Sequence, residues 1–399
     1  MYFITKPCKQ SLLQGFRYKS LYVCAIKKRT ILHTKTRRYD LDWLRVIAIL
    51  AVYAHHICMP FNGDDFHIMN TDSSKLLDDI MVFFEQFRLP LLFLISGTGT
   101  IFAFSKRTWI DFLKERSVRL LLPLFFGIFI IVPPQTFFEN RAQYTSYWEI
   151  YTNADFEVNH LWFIENLFWM SIIAIPLILF LKSTKSAKFL NLFKHFTAKR
   201  FGLFALVIPL SVGFLWLKSY YLSNDKDLFN LSSTFFYSFF FVLGMLFASA
   251  DMTWKHLNQY RKLNFLLFII SSVVFYTYYY VPGEWIAPYL TKNQGWMLWY
   301  LVCCLVGWSF VITLLGYGQI WFNKESTLVK KLNEAIYPFY ILHQTVIVVF
   351  AYYIVQWEMP IGVKVLILLM TTFPVIIIIY RFFIYPFALT RILFGMKKR

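Results

Sequence analysis

Ten apolar runs of roughly 20 residues, each bounded by a charged cluster, leave this chain few folds to choose from. A helix of that length crosses the hydrocarbon of a bilayer, and only there are such runs tolerated in this number. Within lipid every backbone N–H and C=O must be paired inside its own segment, so the runs read as helices. The spans fall near 42–60, 80–104, 119–138, 160–181, 201–217, 231–250, 263–281, 295–316, 333–355 and 361–380. Composition agrees, since 58% of residues are hydrophobic and only 16% charged, too few polar groups to cover a water-soluble globule. The expected fold is an all-α polytopic bundle of about ten transmembrane helices.

A net charge of +18 suggests nucleic acid until the charges are placed. With a cytoplasmic N-terminus, the segments on that side hold 32 Lys and Arg against 5 on the far side. That asymmetry is the positive-inside pattern with both termini cytoplasmic, so the excess is topological and no nucleic-acid partner is expected. The far-side loops carry thirteen Asp and Glu, which disfavours polyanions and tolerates neutral polar partners. Five cysteines, Cys8, Cys24, Cys58, Cys303 and Cys304, include no CxxC, and neither a disulfide framework nor a zinc site is expected. Residues 1–39 contain ten Lys or Arg and no acid, and read as a disordered or surface-lying tail able to meet anionic membrane lipids. Residues 40–385 then form the membrane domain and 386–399 a short basic cytoplasmic tail.

Ionisable groups inside spans are costly and are functional candidates by default. Arg45 and His56 are eleven residues apart, so they share one helix face about 16 Å apart along the axis. One reading is a donor-facing cation and a titratable base on a single stripe; the other is an arginine snorkelling to headgroups and a histidine bonding a neighbouring helix. Arg88 lies mid-span in FRLPLLFLISGTGT and calls for a carboxylate, a helix end or a ligand anion. Ser96 and Gly97 behind it suit helix packing or a helix break. The segment HLWFIENLF brings His160, Trp162 and Glu165 to the start of a span, where Trp162 also fits an interfacial aromatic belt. His343 follows Tyr340 in AIYPFYILHQT, and either bonds across helices or takes part in chemistry. Lys364 sits near a span end and receives no role.

Histidine suits general base work, arginine suits phosphate or carboxylate, and no serine or cysteine triad is evident. The set describes group transfer from a phosphorylated donor to an alcohol, with the donor reached from the basic side. Coenzyme A phosphates match an arginine fork there.

These residues resemble a known family. YDLDWLRVIAILAVYAHH is similar to the first span of the acyltransferase-3 family of integral membrane O-acyltransferases, with Arg45 and His56 in its Arg-then-His spacing. FRLPLLFLISG, FLKERSVRLLLP, HLWFIENL and AIYPFYILHQTVIVV resemble four further elements of that family in the same order, from about residue 38 to 355. The wording LDWLR, FRLP…ISG and HLWF resembles most the branch that contains glucan-biosynthesis protein C. The resemblance implies transfer of an acyl group, acetyl or succinyl, from cytoplasmic acyl-CoA to a hydroxyl of a surface or periplasmic glycan, in a bacterial inner membrane. No bound cofactor is implied, since acyl-CoA is a co-substrate. It implies His56 as the essential histidine and Arg45 as its partner toward the donor, while Arg88, Arg119 and His343 occupy recurrent motif positions. Arg88, Arg116 and Arg119 would help hold the donor, and Glu165 or His343 would orient His56. Direct attack and an acyl-histidine intermediate both remain open, and the doublet of His55 and His56 leaves the choice of imidazole to spacing. The rival class is a proton-coupled transporter or flippase, for which Pro176, Pro209, Pro338 and Pro374 are candidate helix breaks.

Overall fold

The computed structural model describes residues 37–104 and 107–397. The basic tail at 1–36, with Cys8 and Cys24, therefore lies outside the described residues. The described residues are helical, with no strand among them. Eight helices are long and apolar enough to cross a membrane, or ten if two bent pairs each count as one span.

The long helices are α1 (Tyr39–Asn62), α2 (Lys75–Phe104) and α3 (Trp109–Glu139). The bent pair α4 (Trp162–Ile173) and α5 (Ile175–Lys182) follows, and then the amphipathic α6 (Ala187–Ala198) and α7 (Val207–Lys218). The chain continues through α8 (Leu231–Ser249), the short α9 (Met252–Gln259), α10 (Arg261–Tyr280), α11 (Lys292–Trp321), α12 (Thr327–Ile354) and α13 (Ile361–Ile379).

Three elements depart from the hydropathy reading. The third span begins at Trp109, not at 119, because the Thr108 hydroxyl caps the helix by accepting the Asp111 N–H. Arg116 and Arg119 therefore ride on α3 itself. The fourth span bends by 50° at Ala174, where Pro176 at the start of α5 cannot supply the N–H that would continue α4. The region 182–200, expected as a cytoplasmic loop, contains α6, whose direction departs by 117° from the Gly202–Lys218 segment. Average hydropathy discards α6 because its lysines offset Phe189, Leu192 and Phe193.

Within α3, two π-helical turns, Ser117–Leu121 and Gly127–Ile131, widen the helix. Wide turns leave carbonyls turned outward, and α12 meets two of them. The Tyr337 hydroxyl donates to the Arg119 carbonyl (3.1 Å) and the Thr345 hydroxyl to that of Ile131 (2.8 Å). Because residues 119 and 131 meet residues 337 and 345 in that order, α3 and α12 run in the same direction. The same holds for α1, whose Arg45 donates to Asn333 (2.9 Å) while His56 bonds His343 (2.8 Å). Of these three parallel helices, α1 and α3 carry arginines and α12 lysines toward their starts, and all three carry imidazole or amide groups farther along.

Helix α2 is packed into the middle by glycine. A Cβ on Gly97 would lie 1.9 Å from the Phe241 carbonyl oxygen, and one on Gly244 would lie 1.9 Å from that of Leu94. The backbones of α2 and α8 therefore touch directly, with the Thr98 hydroxyl donating to the Gly244 carbonyl (3.0 Å). Ser96 and Gly97 belong to this packing. Lys364 does not snorkel: it is buried, and its ammonium donates to Asn70 Oδ1 (2.6 Å) and the Val355 carbonyl (2.9 Å), fastening the 63–74 loop to the ends of α12 and α13. The segment after 385 also packs on the bundle. Arg391 is buried and pairs with Glu334 at 2.7 Å, and Phe394 lies 5.3 Å from Phe126.

Candidate active site

A cavity of about 230 Å³ opens between α1, α2, α4 and α12, on the side of the 63–74 and 219–230 loops. His55, His56, Arg88, His160, Trp162 and Tyr340 all line it. Six of the sequence candidates or their neighbours, from four separate elements, thus meet in one place.

The protons in this cluster follow from chemistry. A carbonyl oxygen only accepts, so His343 Nδ1–H donates to the Tyr340 carbonyl at 2.5 Å. A neutral His343 then keeps Nε2 as an acceptor, and His56 Nδ1–H donates to it at 2.8 Å. His56 is left with Nε2 as a lone pair, on a half-buried side chain that lines the cavity. This is the tautomer a general base requires. The chain from backbone carbonyl to His343 to His56 also fixes the ring orientation, with the two imidazoles stacked at 5.0 Å.

His160 is differently committed. Its Nε2–H donates to the Ile341 carbonyl (3.1 Å), while Nδ1 accepts from Gln135 Nε2 (3.3 Å). Both nitrogens are occupied, and its ring stands edge-on to His343 at 5.3 Å as a wall. Tyr340 supports the same wall by donating to the His160 carbonyl at 2.5 Å. His55 lines the cavity with Nδ1 unbonded, but it lacks the histidine partner that orients His56. Tertiary contact distinguishes the doublet: only the second imidazole reaches α12.

A polar network that the sequence did not reveal sits beside the imidazoles. Gln344 Nε2 is within bonding distance of three acceptors, His67 Nε2 (2.8 Å), Asn159 Oδ1 (2.7 Å) and Gln135 Oε1 (3.2 Å), though it has only two hydrogens. His67 Nδ1–H in turn donates to Glu139 (2.6 Å). Asn159 holds a left-handed backbone, φ +47°, which asparagine tolerates better than most residues. It thereby offers its side-chain oxygen to both Gln344 and the His160 N–H (2.7 Å). Asn159 directly before HLWF was the available signal, whereas Gln135 and His67 carry none in isolation.

Arg88 is 4% exposed and lines the histidine cavity, and its Nε and Nη1 have no hydrogen-bond partner. The structure places it beside the imidazoles instead of with the other arginines. Those gather at the opposite ends of the parallel helices. Arg107 and Arg119 both pair with Glu115, at 2.7 and 3.3 Å, and Arg116 donates to Thr100 (2.9 Å) with its Nε unbonded. Arg45, Arg107 and Arg119 lie near enough to act electrostatically on Arg116. Arg45 itself bonds Asn333 and pairs with Asp42 at 3.6 Å, and does not line the histidine cavity. The stripe read from spacing therefore joins two distinct places. Glu165 lies apart from both, half-buried on α4 and facing the Asp227 carboxylate. Ser96 does not line the histidine cavity.

Residues 38–381 match the family model described as an acyltransferase domain. The chain belongs to the acyltransferase-3 family. By that match residues 38–381 are an acyltransferase domain, and its apolar helices are those of an integral membrane protein. This acyltransferase is similar to Glucans biosynthesis protein C of Escherichia coli strain K12, 26% identical over 232 residues that cover 53% of this chain and 58% of the relative. The counterpart in Escherichia coli O1:K1 / APEC is 23% identical over 342 residues, 80% of this chain and 84% of the relative. That of Shigella dysenteriae serotype 1 (strain Sd197) is 26% identical over 235 residues, 53% and 58%. The first of these alignments spans little more than half of the curated relative. No solved structure matches the acyltransferase.

Proposed function

We propose that this acyltransferase moves an acetyl or succinyl group from acyl-CoA to a hydroxyl of a carbohydrate acceptor, with His56 as the general base. The observation that carries the reading is the His56 Nε2 lone pair, fixed by the Tyr340–His343 chain on a residue lining a cavity with an unpartnered arginine. The acceptor hydroxyl gives its proton to Nε2 while its oxygen attacks the thioester carbonyl. The C–O ester bond forms, the C–S bond breaks, and the imidazolium returns the proton to the departing thiolate. Arg88 stabilises the negative charge that develops on the carbonyl oxygen, a role for which a buried, fixed cation is far stronger than one in water.

The donor enters from the arginine end. Arg45, Arg116 and Arg119 meet its phosphates there, and the thioester passes along α1 toward His56, about 16 Å away. The acceptor enters from the loop side, where the cavity opens. Glucans are the favoured carbohydrate, from the name of the similar proteins. Family membership favours this enzyme over a proton-coupled transporter.

The test is purified protein in lipid nanodiscs with acetyl-CoA or succinyl-CoA and β-linked gluco-oligosaccharides, read by mass spectrometry. A product heavier by one acyl group, with release of free coenzyme A, is the expected result. Absence of transfer from either donor to any carbohydrate would reject the reading. Arg116→Ala should raise the KM for the CoA donor roughly tenfold with little change in kcat, since one charge-assisted contact to phosphate is lost. The same KM should rise with ionic strength. A donor KM insensitive to both changes would remove the phosphates from this end.

A further inference from the structure

The histidine cavity has a neighbour. A second cavity of about 280 Å³ shares Arg88, Leu89 and Lys226 with it. Tyr237 on the second wall packs 5.3 Å from Trp162 on the first, so the two spaces adjoin. Transfer of one acyl group to one hydroxyl makes no use of this extra room.

Its lining narrows what could fill it. Tyr237, Trp299 and Tyr300 supply aromatic faces, Glu85 a carboxylate, and Arg88, Lys218 and Lys226 cations, of which the Lys218 ammonium is already bonded to the Ser223 carbonyl and Asn224 Oδ1. Arg88 is 4% exposed with Nε and Nη1 unbonded, an arrangement that is costly unless a ligand completes it. Lys226 is on the exposed loop, yet its ammonium lies 5.8 Å over the Trp162 ring, and loss of hydration pushes its pKa down against the opposing pull of Glu85. An apolar ligand would leave Arg88 unsatisfied. A free anion would meet the Glu85 carboxylate. A neutral polyhydroxylated ring satisfies all three demands: it donates to Glu85, accepts from Arg88 and Lys226, and lays its C–H face on an aromatic ring.

We infer that the second cavity holds the sugar residue next to the one being acylated, so that the enzyme selects an oligosaccharide over a monosaccharide. The inference rests on the acyl transfer to carbohydrate proposed above.

The experiment compares glucose with a β-linked glucotetraose as acceptors for the nanodisc protein. The tetrasaccharide should show a KM at least about tenfold lower, the value of one added stacking and hydrogen-bonding platform. Trp299→Ala and Glu85→Gln should each collapse most of that preference. Trp299 also packs 5.0 Å from Phe275, so Glu85→Gln, which removes no packing, carries the test should the tryptophan variant not be recovered folded. Titration of tryptophan fluorescence in His56→Ala with glucotetraose separates binding from chemistry and should still show saturation. Should wild-type transfer be absent while that saturation persists, the transferase reading fails and the sugar site stands. Equal KM values for the two acceptors, or a chain-length preference unaltered by Glu85→Gln, would overturn the inference. So would a Glu85→Gln protein whose choice between acetyl and succinyl donors changes instead, because that would put the acyl carboxylate in the cavity.

Discussion

His56→Ala lowers acyl transfer by about three orders of magnitude, the usual contribution of a positioned base together with the arrangement that holds it. The loss falls on kcat, because the imidazole acts on the proton only as the ester forms. His343→Ala costs less, on the order of 10- to 100-fold, since it removes the partner that fixes the His56 tautomer and leaves the base itself in place. His55→Ala costs far less than either, as its ring makes no bond to His343. Steady-state kinetics on the three purified variants, with thermal melting as the control for folding, checks the ranking. Near-normal turnover in a folded His56→Ala protein would eliminate it as the base. A His55→Ala loss exceeding that of His56→Ala would reverse the assignment within the doublet.

Gly97→Leu and Gly244→Leu should each unfold or severely destabilise the bundle. At both positions even a methyl group would overlap a backbone carbonyl on the facing helix, at 1.9 Å, and backbone cannot swing aside as a flexible side chain can. Separating α2 from α8 forfeits the packing along their length and the Thr98 bond, a cost of about 3 kcal/mol or more. It also moves Arg88 on α2 away from Tyr237 on α8, which together border the second cavity. The expected observation is a much lower melting temperature in detergent and loss of the monodisperse gel-filtration peak. By contrast Gly99→Leu should melt near the wild-type temperature, because a Cβ at Gly99 meets nothing within 4 Å. Wild-type melting in Gly97→Leu would mean that the two helices do not approach so closely.

Much of the architecture was legible in the chain because hydropathy is a local property. Runs such as 231–250 and 333–355 find their counterparts in Leu231–Ser249 and Thr327–Ile354. The errors arose where local averages mislead. Proline bent the 160–181 run, lysines among its apolar residues concealed α6, and a threonine cap carried α3 back over a charged stretch.

The candidate site divides in the same way. Intramembrane cost singled out Arg45, His55, His56, Glu85, Arg88, His160, Glu165, His343 and Lys364; of these, His55, His56, Arg88 and His160 line the histidine cavity and His343 bonds His56, while Arg45, Glu85, Glu165 and Lys364 do not line it. What spacing suggested for Arg45 and His56 was a shared face, and a shared face did not bring both to the same cavity. Glu165 and Ser96 stood close to motif residues in sequence and point elsewhere in space.

By itself the sequence determined that the chain must cross a membrane many times as helices, and which titratable groups would have to be accommodated there. Those follow from hydrophobicity and desolvation, which each segment carries alone. Only the tertiary structure decided which imidazole of the doublet bonds His343, that Gln135, His67 and Asn159 stand nearby, and that Arg88 lies beside the histidines and apart from Arg116 and Arg119. Each of those rests on a partner far away in the chain, 287 residues in the case of His56 and His343. Hydrogen-bond direction is set by the partner's chemistry, and the partner is chosen by packing.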